Sequence, residues 1–440
     1  MFTSFIKYPV FQSLMYDKLC LEQYDEIHCA NQSVVHDDKK LQADVNHLYL
    51  YSSIVLTVPS IFTAFLLGSV SDTYSRKIPL MIPFVGLILG DVVYLVQTTF
   101  MSIDARWLLL SDACFGLCGG YTAIIGTMFA YGVRQTWDEN RSLRIAALEG
   151  SIGLGGTIGF AVSGVLRNAW GYTNVFLFST CFHFISFFYL LLRTEEFSSD
   201  VPTESVGRTT TMHLRDIFAV VIKKRDGKAT LCLQLILFAF AVEYLSFAGV
   251  LDVQYSFFRY KLGWDDLKFG WFSGLGYGLS TAAVLIIYPI LKQRSSSDAF
   301  LAGFGLCCKV VSLVVLAFVF ADWMAYTMTV LFMFSRFPST GMRAVCSRLV
   351  ALDEQGKVFA AIALMEGVIT LLASLIFNGL YPWTLNFFAG TCFLLMAALL
   401  FIPIGILYYV HGSVERPSSA TSNNAISDTA FEENTPRDGR

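Results

Sequence analysis

Gly68-Ser-Val-Ser-Asp72-Thr-Tyr-Ser75-Arg76-Lys77 is a polar turn between two long apolar runs, 47–70 and 78–101. As a helix rising about 1.5 Å per residue, each run is long enough to cross a hydrocarbon layer of roughly 30 Å. Backbone groups inside lipid must be satisfied within their own segment, so the runs read as spanning helices. The turn ends on a basic pair, Arg76 and Lys77, of the kind that stays on the cytosolic side of a membrane. Gly68 allows close helix approach, Asp72 can cap or ion-pair, and the basic pair anchors the loop. An ordinary charged turn obeying the same rule is the plainer reading.

The alternation continues in both directions. Further apolar runs lie near 3–22, 107–133, 145–166, 173–193, 229–257, 267–291, 298–320, 322–347, 357–380 and 384–410, giving about twelve spans. Charged residues make up 15% of the 440-residue chain, against roughly 25% in soluble domains, and they gather between the runs. Net charge is −3, which gives no reason to expect nucleic acid. The first run is the weakest, with Lys7, Asp17 and Lys18 inside it; it either packs against other helices or belongs to a longer first span. Eight of the ten cysteines lie in or beside apolar runs, where the thiol acts as a small hydrophobe. No Cys/His grouping has ligand spacing, so neither metal nor cofactor is expected. No cleavable signal peptide is evident.

Lys and Arg set the orientation. Both termini then face the cytosol, and the outer loop 23–46 carries the sequon Asn31-Gln32-Ser33, a glycosylation site in that position. The longest inner loop, 194–228, separates six spans from six. The expected units are a first half over 1–193, a linker over 194–228, a second half over 229–410 and a disordered cytosolic tail over 411–440. The turn at 68–77 resembles the signature G-x-x-x-D-x-x-G-R-K of the major facilitator superfamily, with Ser75 in place of the second glycine. The resemblance implies an all-α membrane protein of the facilitator fold, whose two six-helix halves rock about a central site. In it Gly68, Asp72, Arg76 and Lys77 gate the swing.

Ionisable residues within apolar runs cost roughly 2.5–3.5 kcal/mol each on insertion scales and mark pathways or partners. Glu149 begins the fifth span, just before the small residues Gly150, Ser151, Gly155 and Gly159, which offer a face for close helix packing. Glu149 suits a proton site or substrate contact, or a structural ion pair. Arg336 and Arg343 are seven residues apart and would share one face of a helix; a guanidinium in a cavity is a natural carboxylate partner, although an end-of-helix cation would also explain Arg343. Glu366 and Asp112 follow as candidates for lining a cavity. Asp91, Glu243, Asp252, Lys309 and His183 are also unusual in lipid, Asp252 being expected near the outer surface and His183 as a satisfied structural histidine. Tyr244, Phe247, Tyr255, Phe257 and Phe258 could stack a flat ring, though such residues more often pack.

Two stretches carry a closer resemblance. Leu148-Glu149-Gly150-Ser151-Ile152-Gly153 through Gly171-Tyr172, and Ile376-Phe377-Asn378-Gly379-Leu380-Tyr381-Pro382-Trp383-Thr384-Leu385-Asn386-Phe387, are similar to the fifth span and the final outer connection of the proton-coupled folate transporter family, solute carrier family 46. The resemblance covers about residues 20–410. It implies a proton-linked carrier of bulky organic anions, such as folates, muropeptides or cyclic dinucleotides, in the plasma or lysosomal membrane. Glu149 then matches an acid linked to proton coupling, Arg343 a membrane arginine for substrate and proton handling, and Pro382 the proline of the last outer loop. The sequence departs from the family at Arg134, where an acid is expected, and at Ser246, where a histidine is expected with Glu243 one turn away. Gly263 replaces a cysteine, so Cys29 is free or pairs with Cys20. Asp112 stands where many facilitators have arginine. These departures motivate a second hypothesis, a receptor or scaffold that keeps the transporter fold without turnover. No nucleophile–base pair or nucleotide-binding loop supports an enzyme.

Overall fold

The computed structural model describes residues 1–30, 35–36, 38–73, 75, 77–134, 141–194, 215, 219–225, 228–294, 297–351 and 354–414, with the side chains of Asp72, Arg134 and Glu149 among those left outside the description. Among the described residues all regular structure is helical. Among the described residues, nine helices are long and apolar enough to cross a membrane. One of them, Gly150–Arg193, has 44 residues, about 66 Å at 1.5 Å per residue and so two crossings. The division falls at Gly171, whose φ of 71° and ψ of 175° leave the helical region; a residue with Cβ would be strained there. Adding the less apolar first helix and the broken tenth gives the twelve passes expected from sequence.

In chain order, span 1 is Phe2–Gln23, span 2 Lys39–Thr73 and span 3 Lys77–Thr99. Span 4 is Leu108–Leu117 and Gly120–Arg134, and spans 5 and 6 share Arg141–Arg193. Span 7 is Ala229–Leu262; span 8 runs from Asp266–Ala282 through a wide turn at Ala283–Ile287 into Tyr288–Gln293. Span 9 is Asp298–Ala317, span 10 Asp322–Phe332 with Phe337–Arg348, span 11 Gln355–Thr384, and span 12 Thr391–Leu399 with Phe401–Val414.

Two spans expected as continuous helices are broken. Span 4 turns at Gly119, with φ of 99°, a conformation that suits glycine. Span 10 gives way to turns over 333–336, and Pro338 lies in the first turn of the following helix, where a missing N–H is harmless. Pro382, expected in an outer loop, instead lies within the last turns of span 11. Gly68 meets nothing within 4 Å, so it makes no close helix approach in this conformation.

The small residues of span 5 serve two partners. Gly155 and Gly159 lie against Phe2 at the start of span 1, as the expected small-residue face would. A second face seats span 8: Gly153 meets Thr281, Gly156 meets Tyr277, Ala161 meets Gly274 and Gly164 meets Asp266 and Leu267. As one number rises the other falls, so spans 5 and 8 run antiparallel in contact over their length. This seam joins the N-terminal helices to the C-terminal ones and forms one wall of the central site.

Candidate functional site

At one end of the bundle Cys20 and Cys29 form a disulfide, which settles the pairing left open by the sequence. Beside it the N- and C-terminal helices are clasped by charge. Arg167 of span 5 lies 3.2 Å from Asp17 of span 1 and 3.2 Å from Asp266 of span 8. The Tyr172 hydroxyl donates to Asp17 at 2.6 Å, and the Tyr255 hydroxyl donates to Asp266 at 2.5 Å. Arg259 of span 7 stacks over the Tyr16 ring at 4.5 Å from its centroid and stands 3.9 Å from Asp17. Asp266, Arg259 and Tyr255 are buried. A buried charge is tolerated only when paired, and here every member is. The structure is therefore closed at the disulfide end.

Below the clasp, residues of spans 1, 5, 7, 8 and 10 line a narrow cavity of about 60 Å³. Tyr8, Phe160, Phe247, Phe269, Phe272 and Tyr277 supply aromatic faces, while Gln254, Ser280, Thr329 and Ser335 supply polar atoms. Arg336 is the cationic group in this wall. Its guanidinium lies 4.4 Å from the centroid of the Tyr277 ring, and no acid pairs with it among the described residues. The break in span 10 places Arg336 here. Arg336 caps the helix that carries Arg343, its carbonyl accepting from the Thr340 N–H at 3.1 Å, so the two arginines stand seven residues apart on one helix; their side chains nonetheless go to different neighbours.

Arg343 instead ion-pairs with Glu366 of span 11 and lies 5.3 Å from the centroid of Phe240. Sequence placed both Arg343 and Glu366 among the site residues, and the structure brings them together, outside the wall of this cavity. Glu243 accepts from Lys309 of span 9 at 2.6 Å, with both side chains sealed in the protein. Asp112 is buried in span 4 beside Ser52, with Oδ2 lacking a partner; it too is absent from the cavity wall. Ser246 is buried and donates to the Met396 carbonyl at 3.3 Å. Of the span 7 aromatics only Phe247 reaches the cavity; Tyr255, Phe257 and Phe258 are packed away. The side chains of Asp72 and Glu149, and Asn31 and Arg76 as whole residues, lie outside the described residues; Lys77 begins span 3.

The first span keeps its charge through a network that sequence did not assemble. Lys7 lies 2.5 Å from Asp91 of span 3, Asp91 is 2.5 Å from His183 Nδ1 of span 6, and His183 Nε2 is 2.9 Å from Thr3. His183 is thus satisfied, as expected, and Lys7 packs against other helices. Away from the disulfide end, Asp298 accepts from Tyr288 at 2.9 Å and pairs with Lys292 and Arg348. Outside the spans, Lys223 and Arg225 both hold Glu354, and the hydrogen bond from Lys223, then that from Arg225, lowers its pKa below the ordinary glutamate value.

The Major Facilitator Superfamily model matches residues 38–374 of the chain. The proton-coupled folate transporter of Rattus norvegicus is 30% identical over 394 residues, covering 87% of this chain and 83% of that protein. The lysosomal proton-coupled steroid conjugate and bile acid symporter SLC46A3 of Gallus gallus is 25% identical over 434 residues, covering 93% and 91%. Among solved structures, the human organic anion transporter MFSD10 superposes with a TM-score of 0.62 at 13% identity, covering 92% of this chain and 98% of that one; this likeness concerns the fold. The chain is a multi-pass membrane protein of the major facilitator superfamily, and within it belongs to the proton-coupled folate transporter family, solute carrier family 46.

Proposed function

We propose that this protein is a secondary active transporter that couples proton movement to that of a bulky organic anion by alternating access. The observation that carries the reading is Arg336: a cation without an acid partner among the described residues, set in an aromatic cavity between the two groups of helices. A carboxylate or sulfate on the substrate would supply the missing anion through charge-assisted hydrogen bonds, and the rings would stack its apolar body. Folates, steroid conjugates and bile acids, the cargo classes in the relatives' names, all join an acid to a large ring system.

In this reading residues 1–193 and 229–410 are the halves that rock, joined by a linker over 194–228. The clasp at Arg167 and Asp266 closes one side. Glu149 remains a proton-site candidate on the strength of the family resemblance, with Arg343–Glu366 a pair that a proton could open. The signature turn, through Gly68, Asp72, Arg76 and Lys77, gates the other side, and Pro382 shapes the end of span 11 that moves with it. We place both termini in the cytosol, from the basic inner loops. The disulfide, on the opposite end, is consistent with an oxidising outer compartment. Either the plasma membrane of an acid-bathed cell or the lysosomal membrane would supply protons on that side.

The test is uptake of labelled folate and labelled taurocholate into proteoliposomes with and without an imposed pH gradient. The reading expects saturable, gradient-driven uptake of at least one anion, lost in Arg336→Gln and partly kept in Arg336→Lys. Uptake that is indifferent to Arg336 would remove the cavity from the pathway.

A further inference from the structure

Most intramembrane acids with described side chains have a cation: Asp91 has Lys7, Glu243 has Lys309, Asp266 has Arg167, Asp298 has Lys292, and Glu366 has Arg343. Asp112 and Asp252 make no ion pair, although Lys7 acts on Asp112 from a distance. Asp112 lies in span 4 beside Ser52 of span 2, within the N-terminal group of helices. Asp252 lies where the two groups meet, next to Leu251, whose carbonyl accepts the Tyr8 hydroxyl of span 1 at 2.6 Å. It is 9% exposed, and its Oδ2 has no hydrogen-bond partner.

The groups facing Asp252 are neutral. Span 1 contributes Tyr8 and span 2 Tyr49, both hydrogen-bonded to Gln12, and span 11 contributes Ser374 and Asn378 as hydrogen-bond partners of the carboxyl. Span 12 packs span 7 through Met396 against Gly249 and brings no charge there. Span 10 brings Arg336 to the cavity wall that Leu251 and Gln254 share. Gln12 Oε1 and Asn378 Oδ1 are buried acceptors that lack donors, and one N–H of the Asn378 amide goes to Ser374 at 2.9 Å. A bare carboxylate would add a further acceptor, and an uncompensated charge, to a site already short of donors. A carboxylic acid supplies an O–H instead.

We propose that Asp252 is a proton-binding site of the transport cycle, neutral while spans 1 and 7 are closed around it and ionised when they part. The step is a protonation: one carboxylate oxygen takes a proton from hydronium on the disulfide side, an O–H bond forming on the acid as one breaks on hydronium, which leaves as water. Charge on Asp252 opposes closure of the clasp above it, so closure requires the proton. The coupling role rests on the transporter reading; the proton on Asp252 does not.

The two parts are separable with the full-length protein in liposomes. Infrared difference spectra of the wild type against Asp252→Asn should show loss of a protonated-carboxyl stretch at neutral pH, and Asp252→Glu should shift it. In the same vesicles, the ratio of gradient-driven uptake to exchange of labelled taurocholate or folate should fall in Asp252→Asn to its value without a gradient, and recover in Asp252→Glu. A carboxyl band unchanged in the substituted protein overturns the proposal, as does an undiminished gradient effect in a folded Asp252→Asn protein. Should Asp252→Asn not fold, an unshifted band in Asp252→Glu overturns it instead. If the wild type moves neither probe but loses the band on substitution, the proton site stands and the transport reading falls.

Discussion

Arg167 Nε stands 3.2 Å from Asp266 Oδ2 across the seam between spans 5 and 8, with the Asp266 side chain only 3% exposed. This contact and its neighbours hold the disulfide end shut, yet a carrier must break them in every cycle. Removing one partner leaves the other charge buried and favours the open state. Arg167→Ala should shift the open-to-closed balance by about 2 kcal/mol, roughly thirtyfold. The measure is the rate at which an impermeant thiol reagent labels a cysteine introduced by Gln254→Cys in the cavity. Rates equal with and without Arg167 would show that the clasp does not gate access.

Span 5 meets span 8 through residues too small to replace. A Cβ on Gly164 would stand 2.3 Å from the Asp266 carbonyl oxygen and 2.4 Å from the Leu267 Cα, both backbone. Overpacking of this kind costs about 1–3 kcal/mol. Gly164→Ala should lower the melting temperature in detergent and reduce uptake. Gly68→Ala meets open space and should leave the melting temperature where it is. Equal thermal behaviour of the two variants would contradict the packing described.

Glu243 and Lys309 are a sealed pair, at 2% and 0% side-chain exposure. Glu243→Gln strands a buried ammonium, at a cost of about 3–5 kcal/mol, and the protein should express poorly. Lys309→Met combined with Glu243→Gln should restore expression, because replacing both partners removes the stranded charge. If Glu243→Gln alone folds well and only uncouples transport from protons, Glu243 is a proton carrier rather than a structural partner.

How far could these features be read in advance? Span positions were legible because charge and apolar length act locally: 3–22 became Phe2–Gln23 and 78–101 became Lys77–Thr99. The breaks in spans 4 and 10 were not, since no local signal shows that the chain turns at Gly119 and over 333–336 rather than continuing as helix. Arg343 and Glu366 were each suspect as ions in lipid, but nothing local paired them. Lys7 and Asp91 lie 84 residues apart, and only tertiary packing shows that each answers the other. Arg336 is conspicuous in sequence as a cation in an apolar run, but the aromatic ring it meets, that of Tyr277, is set by the packing of span 8 against span 10. The second face of span 5 had a signal that was present but unread: Gly270, Gly274 and Gly278 repeat every four residues on span 8, the spacing of a close-packed helix face.

The contact of Lys223 and Arg225 with Glu354 gives a pH expectation with a definite sign. These partners lower the glutamate's pKa in the folded protein from its ordinary 4.5. The stabilisation is thus fully present above that value and is lost only as pH falls through the lower folded value. Acidification to the lysosomal range should leave the contact intact. Hydrogen exchange over residues 219–225 should be equally protected, once corrected for intrinsic rate, in neutral and mildly acidic buffer, and faster in Glu354→Gln. Release in mildly acidic buffer would show that other groups govern the contact.

The central claim is that an anion held at Arg336 and a proton cross together. Vesicles carrying the full-length protein and an internal pH dye, with no imposed pH difference, are given an inward gradient of taurocholate or folate. The account expects the lumen to acidify as the anion enters, with neither event in Arg336→Gln vesicles. Anion entry without any change in lumenal pH would contradict it.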